Sequence, residues 1–314
     1  LALATPTVYI PTLAGGERLA ACLAALETQT APAEVVVADN GPGQGCSELL
    51  SSRFPKVTRI AFGGRNLGFG TALNRAVAAH GDGPLVFLND DAVAEPDFIE
   101  RLLAVRDGDD CAMVAAVLLK SADPGLIDSA GIVCDETLTA WDYLTGESVS
   151  VLEGAADPLG PTGGGALFDR DAFTAVGGFD ERIFLYYEDL DLVLRMRSAG
   201  HRCRLAPDAR AVHESSATLG RRAAAKYRQT GFSRGYLLRK YGIAKRPSLA
   251  LKVALSDIPA GLAQIVLDRT AAGLKGRMEG WRAGRDASRE AVPPGLERAS
   301  LTRQYAVRVR RRRY

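Results

Sequence analysis

Pro84-Leu85-Val86-Phe87-Leu88-Asn89-Asp90-Asp91 decides how this chain is read. The residues up to Leu88 form a short, unbroken apolar run, the mark of a strand buried on both faces of a parallel sheet. Asn89, Asp90 and Asp91 then emerge at the strand's carboxyl end. In open α/β sheets ligands bind in the crevice along that edge. Paired carboxylates there suit Mg2+ or Mn2+, with substrate phosphates filling the remaining positions. The alternative for the same residues is a solvated loop opening a helix at Pro96 and Asp97.

Upstream, strand-like and helix-like signals alternate at short intervals, as they do where helices cover the faces of a parallel sheet. Thr7-Val8-Tyr9-Ile10 reads as a first strand, and Leu19, Cys22, Leu23 and Leu26 follow at helical spacing. Val35 to Ala38 is a second strand running into Asp39, Ser47 is placed to cap a short helix, and Val57 to Phe62 is a third strand. After Gly70, Leu73, Ala76 and Val77 share a helical face; downstream, Phe98, Leu102 and Val105 do the same before an apolar strand from Cys111 to Leu119. From Ser121 to Pro161 the pattern breaks into loops and short antiparallel strands. Gly163-Gly164-Gly165-Ala166-Leu167-Phe168 resumes strand character, its glycines admitting either a ligand or another backbone.

A second acidic cluster, Glu188-Asp189-Leu190-Asp191, follows Tyr186 and Tyr187. Carboxylates at a helix start are favoured by the helix dipole, which does not exclude a general base among them. The dipole and a nearby cation keep Asp189 ionised, whereas the two tyrosines raise its pKa by desolvation. Asp191 has Arg195 four residues on and is expected to pair with it.

The chain has 314 residues, 47% hydrophobic and 24% charged, the composition of a globular protein of one large domain or one domain with an appendage. Five cysteines, an odd number without Cys-x-x-Cys spacing, argue against a disulfide framework and a zinc site. Residues 1–217 carry 16 Lys+Arg against 31 Asp+Glu, and residues 218–314 carry 23 against 6. The boundary is drawn there: a catalytic region over 1–217 and a basic helical region over 218–314 ending in the Arg308 to Arg313 run. That asymmetry points to an anionic surface as partner. No reader module or aromatic platform supports nucleic acid. Lys252, Asp257, Pro259 and Gln264 interrupt residues 249–267, so a membrane span is not expected. Leu251, Leu255, Ile258, Leu262 and Ile265 make one apolar face, fit for a membrane interface, for the catalytic domain or for a second subunit in a homodimer. The first residues lack a signal-peptide pattern, so a cytoplasmic location, peripheral on the inner face of the membrane, is expected.

Gly64-Arg65-Asn66-Leu67-Gly68-Phe69-Gly70-Thr71-Ala72-Leu73-Asn74, Gly177-Gly178-Phe179-Asp180-Glu181 and Tyr187-Glu188-Asp189-Leu190-Asp191-Leu192 occur in order. With them, residues 5–215 resemble the inverting family-two nucleotide-sugar glycosyltransferases, in particular bacterial enzymes that add rhamnose or related sugars to surface glycans. The resemblance implies a GT-A fold, α/β with a Rossmann-like, mostly parallel sheet and flanking helices. It implies a donor site of Pro11, Thr12, Asp39, Asn40, Asn66, Gly68, Asn89 and Asp90, with Asp39 accepting from the pyrimidine ring of a dTDP- or UDP-linked sugar. It implies Asp91 and His213 as metal ligands, Asp189 as the base assisted by Glu188, and Glu188, Gly164, Gly165 and Tyr187 toward a glycan or lipid-linked acceptor. The Gln-x-x-Arg-Trp pattern of processive synthases is absent, which implies one transfer per encounter. The first loop lacks the Tyr-Asn common in relatives, and Gly41 to Gly45 lacks their Ser and Asp. The alternatives are a catalytically inactive nucleotide-binding scaffold of the same fold and a sugar nucleotidyltransferase.

Overall fold

The computed structural model describes residues 4–109, 111–214 and 224–306. The 217/218 boundary and the Arg308 to Arg313 run lie outside the described residues. The chain opens with β1 (Thr7–Thr12), α1 (Glu17–Glu27), β2 (Glu34–Asp39), α2 (Gly45–Arg53), β3 (Thr58–Ala61), α3 (Phe69–Ala79) and β4 (Leu85–Leu88). There follow β5 (Ala92–Ala94), α4 (Phe98–Asp109), β6 (Met113–Lys120), β7 (Asp123–Ser129), and the ribbon of β8 (Ile132–Cys134) and β9 (Ala140–Asp142). Then come β10 (Gly165–Phe168), α5 (Arg170–Ala175), α6 (Glu188–Ser198), β11 (Cys203–His213), α7 (Ala224–Lys240), α8 (Pro247–Leu267) and α9 (Ala272–Ala283).

The main sheet has the order β3-β2-β1-β4-β10-β6-β11-β5, with β7 added beside β6. Its first half, β3 to β4, is parallel. Past β4 it turns mixed: β10 runs antiparallel to both neighbours, β11 parallel to β6, and β5 antiparallel to β11. Leu85, Val86, Phe87 and Leu88 are each fully buried, because helices cover both faces of β4. On one face Val8, Ile10, Val86 and Leu88 pack with Leu19, Leu23, Phe98 and Leu102 of α1 and α4. On the other, Tyr9 and Phe87 pack with Leu73 of α3, Phe173 of α5 and Met196 of α6. Each such large side chain contributes about 1.5–3 kcal/mol on burial.

One helix start differs from expectation. Residue 44 already has helical backbone, so α2 begins at Gly45 with Gln44 at its cap, and Ser47 lies inside the first turn. All five cysteines are buried and free.

The outer face of α6 does not meet solvent. Leu190 and Leu194 join Tyr236, Leu237 and Tyr241 of the α7 region and Leu138 beside the ribbon in a third core. α7 and α9 cross with their backbones touching: a Cβ on Gly235 would lie 2.1 Å from the Arg277 carbonyl oxygen, and one on Gly280 1.8 Å from that of Phe232. α8 is long and apolar enough, by length and composition, to cross a membrane. Only Leu249, Ser256 and Asp257 of its residues are buried.

Candidate active site

Three chain segments converge at the carboxyl edge of the sheet. The first is the Asn89-Asp90-Asp91 turn between β4 and β5, neither a solvated loop nor a helix opening. The Ala92 N–H donates to the Asn89 carbonyl across 3.2 Å, and the Asp91 side chain is 10% exposed. The second is the end of β11, where His213 pairs in register with Ala92. Nε2 of His213 is 3.2 Å from Asp91 Oδ1 and 3.1 Å from Asn89 Nδ2. Its Nδ1 is 2.8 Å from Oδ2 of Asp128 in β7. Burial disfavours a charged imidazole, but the bonds to Asp128 and then Asp91 outweigh it and push His213 up to about 9.

The third segment is the start of α6. Tyr186 and Tyr187 both have positive φ, +66° and +69°, which for bulky residues is strained backbone of the kind that gathers at functional sites. That double turn delivers Glu188 and Asp189 to the first turn of α6. Asp189 Oδ1 accepts the Leu190 N–H at 2.8 Å, and Oδ2 accepts the Gly163 N–H at 3.4 Å and the Thr162 hydroxyl at 3.5 Å. Burial wins over these bonds, with Asp142 adding a like charge, and raises Asp189 to about 6. Glu188 lies well above the usual carboxylate range, from burial and then from the charge of Asp189. Its Oε2 has no hydrogen-bond partner among the described residues.

The Asp90/Asp91 turn and Asp189 face one cavity of about 2470 Å³. The glycine segment joins them physically. The Asn89 N–H donates to the Gly164 carbonyl at 3.2 Å, and the neighbouring Gly163 N–H reaches Asp189. The Thr12 hydroxyl donates to Asp90 at 2.6 Å, while Asp90 is raised by burial against that bond.

Pro11, Thr12, Asn40, Asn66, Gly68, Asn89, Asp90, Asp91, Gly164, Tyr187, Glu188, Asp189 and His213 all line the cavity. Asn40 and Asn66 are tied together: Asn40 donates to Asn66 Oδ1 and to the Gly68 carbonyl, both at 3.1 Å, and accepts the Leu67 N–H at 2.7 Å. Gly68 is needed because its φ is +86° and a Cβ there would meet the Phe184 carbonyl oxygen at 2.4 Å. Two predicted residues sit behind the wall. Asp39 is buried against Arg59, which donates to Oδ2 at 2.7 and 2.9 Å, and its Oδ1 receives only a 3.4 Å contact from the Gly41 N–H. Gly165 faces the interior, where a Cβ would strike Leu118 at 2.9 Å, so its smallness serves packing. The same accounting at Gly164 points to Asn89, 2.8 Å away.

Asp191 is fully buried between Arg195 (2.9 Å), Lys240 of α7 (2.8 Å) and the Tyr241 hydroxyl (3.1 Å), the structural role expected of it. Asp128 and Asp142, which hold His213 and raise Asp189, had no signal in the sequence beyond being acidic.

Asp91 and His213 offer one hard oxygen and one imidazole nitrogen, a donor set that accepts Mn2+ or Mg2+ when a diphosphate completes the shell. Among the described residues no group of three or more His, Cys, Asp or Glu could hold a metal by itself.

A parallel half-sheet, an acidic turn at its carboxyl edge and a half-buried carboxylate lining the same cavity are the arrangement of a GT-A-type glycosyltransferase. The family described as "Glycosyltransferase like family 2" matches residues 5–231, and the chain belongs to it. Among characterised relatives it is 32% identical over 240 residues to the N-acetylglucosaminyl-diphospho-decaprenol L-rhamnosyltransferase of Mycobacterium tuberculosis, covering 69% of this chain and 78% of that one. Its fold is similar to GalNAc-T7 solved with UDP, GalNAc and Mn2+, with TM-score 0.61, 13% identity and coverage of 91% of this chain and 55% of that one. It is also similar to the mannosyltransferase PcManGT of Pyrobaculum calidifontis in complex with GDP-Man and Mn2+, with TM-score 0.54, 17% identity and coverage of 90% and 87%. The protein is a glycosyltransferase, and the scaffold and nucleotidyltransferase readings give way to that membership.

Proposed function

We propose that the protein moves one sugar, with inversion, from a dTDP- or UDP-linked donor to a hydroxyl of a glycan or lipid-linked acceptor at the inner face of the membrane. The observation that carries this is the one cavity lined by Asp90, Asp91 and Asp189 together. Rhamnose is the first donor sugar to test, because the Mycobacterium tuberculosis relative is a rhamnosyltransferase acting on a diphospho-decaprenol.

Asp189 takes the proton of the acceptor hydroxyl. The acceptor oxygen attacks the anomeric carbon from the face opposite the diphosphate, the bond to the diphosphate breaks, and configuration inverts. Asp91 and His213 would hold a divalent cation, whose chemistry is to stabilise charge on the departing diphosphate. Asn40 and Asn66 hold the loop against which the nucleoside lies, with Asp39 and Arg59 paired behind it. A base raised to about 6 is ionised at neutral pH yet retains proton affinity, and Glu188, the residue before it, lies at the acceptor beside it.

Screening nucleotide sugars for Mn2+-dependent sugar transfer, with Asp189→Asn as control, tests the reading. The variant should bind donor and lose transfer by about 100-fold or more. Near-normal transfer by it would remove the assignment of the base.

A further inference from the structure

α8 is amphipathic the wrong way round for a helix of a globular body. Two of its polar residues, Ser256 and Asp257, are buried against the body. Asp257 is met by Arg234 of α7 at 3.3 Å and Arg277 of α9 at 3.6 Å, and Lys252 by Glu136 at 2.7 Å. Its outward stripe, Leu251, Leu255, Ile258, Leu262 and Ile265, is 40–61% exposed, and Leu274 and Met278 of α9 are also exposed. Charged ties hold the helix to the body while its apolar side is left to an apolar neighbour.

The cavity identifies that neighbour. At about 2470 Å³ it exceeds the roughly 300–1,000 Å³ that a small-molecule site takes, so donor and acceptor sugar leave much of it over. It runs on from Asp189 past Lys226, whose ammonium lies 5.4 Å from the centre of the Tyr186 ring, to a cleft walled by Val253, Ile258, Leu262 and Leu274. Lys226 puts a cation along this route, the complement of a phosphate link. A molecule that fills it has a sugar at one end, an anionic link and a hydrocarbon chain.

We infer that the cleft between α8 and α9 binds the hydrocarbon chain of a polyprenyl-type lipid-linked acceptor and feeds its sugar to Asp189. This rests on the proposed lipid-linked acceptor. A second copy of the chain could cover the stripe, but it would not account for a cleft continuous with the catalytic carboxylates.

The test uses the full chain in detergent micelles and a C55 polyprenyl phosphate bearing a diazirine near its ω end. Photolabelling should map to α8 and α9, be competed by unlabelled C55 phosphate, and need at least tenfold more of a C10 phosphate for the same competition. Ile258→Glu and Leu262→Glu, both at exposed positions, should cut labelling at least tenfold while melting temperature and UDP binding stay unchanged. Labelling that maps elsewhere, ignores chain length or survives both substitutions overturns the inference. So does a dimer in sedimentation that both substitutions dissolve, which would assign the stripe to a second copy. Labelling needs no turnover: specific labelling without sugar transfer would count against the proposed reaction alone, and transfer to a water-soluble acceptor without labelling against the cleft alone.

Discussion

Nδ1 of His213 lies 2.8 Å from Oδ2 of Asp128, and this one contact orients the ring so that Nε2 faces Asp91. Carboxylates behind a ligating imidazole typically set metal affinity by about 10–100-fold. Asp128→Asn should therefore weaken Mn2+ binding by that order in calorimetry with UDP or dTDP present, and leave metal-free nucleotide binding unchanged. Equal Mn2+ affinity in variant and parent would show that Asp128 does not position the ring.

Asp189, raised to about 6 by burial and by Asp142, sets an acid limb on activity. The base is protonated below that pH, so kcat/KM should rise through pH 6 and level off above it. Asp142→Asn removes a like charge and should move the limb to lower pH. A limb that stays in place would separate Asp142 from the base.

The same shift has a stability counterpart. The carboxyl binds its proton more tightly folded than unfolded, so its ionisation weakens the fold as pH rises from about 4 to 6. Asp189→Asn should raise the melting temperature above pH 6, with the gain vanishing below about pH 4. Thermal melts across that range decide it, and a variant less stable at pH 8 would contradict the burial argument.

Lys240 joins α7 to the catalytic helix by bridging Asp180 and Asp191, both at 2.8 Å. Burial raises the Asp180 carboxyl, but the bonds from Lys240 and Tyr236 prevail and hold it below the ordinary range. Lys240→Met leaves Asp191 buried with one cation fewer, a loss of about 3 kcal/mol by the usual cost of breaking a buried pair. The Asp180 share of that loss is present above about pH 4 and disappears as pH falls through its lowered pKa. Denaturant melts of the two proteins at pH 7 and pH 3 measure it, and equal stability at pH 7 would refute it.

Much of the site was legible because strand ends and helix starts announce themselves. The apolar run before Asn89 placed Asp90 and Asp91 at the sheet edge, and the family resemblance pointed to His213. What hid was whatever depends on which segments meet. Asp128 and Asp142 lie in the stretch from Ser121 to Pro161, which has no periodic signal, and nothing local distinguishes them from the chain's other carboxylates. Asp39 reads as a ligand at a strand end, yet Arg59 on the neighbouring strand occupies one of its oxygens. The stripe on α8 was plain from its spacing, but the ion pairs of Lys252 and of buried Asp257 required the fold. The glycines of α7 and α9 gave no warning that two backbones would touch there.

That touching carries the last prediction. A methyl group on Gly235 would sit 2.1 Å from the Arg277 carbonyl oxygen, and one on Gly280 1.8 Å from that of Phe232, with backbone rather than a yielding side chain in the way. Gly→Ala in a helix interior normally stabilises by about 1 kcal/mol. Here α7 and α9 must separate, and overpacking of this kind costs about 1–3 kcal/mol or more. Gly235→Ala should therefore lower the denaturation midpoint, whereas Gly261→Ala in α8, where a Cβ meets nothing within 4 Å, should raise it or leave it unchanged. Opposite signs at two helical glycines separate crossing geometry from propensity, and a stabilised Gly235→Ala would mean that the two helices do not pack backbone to backbone.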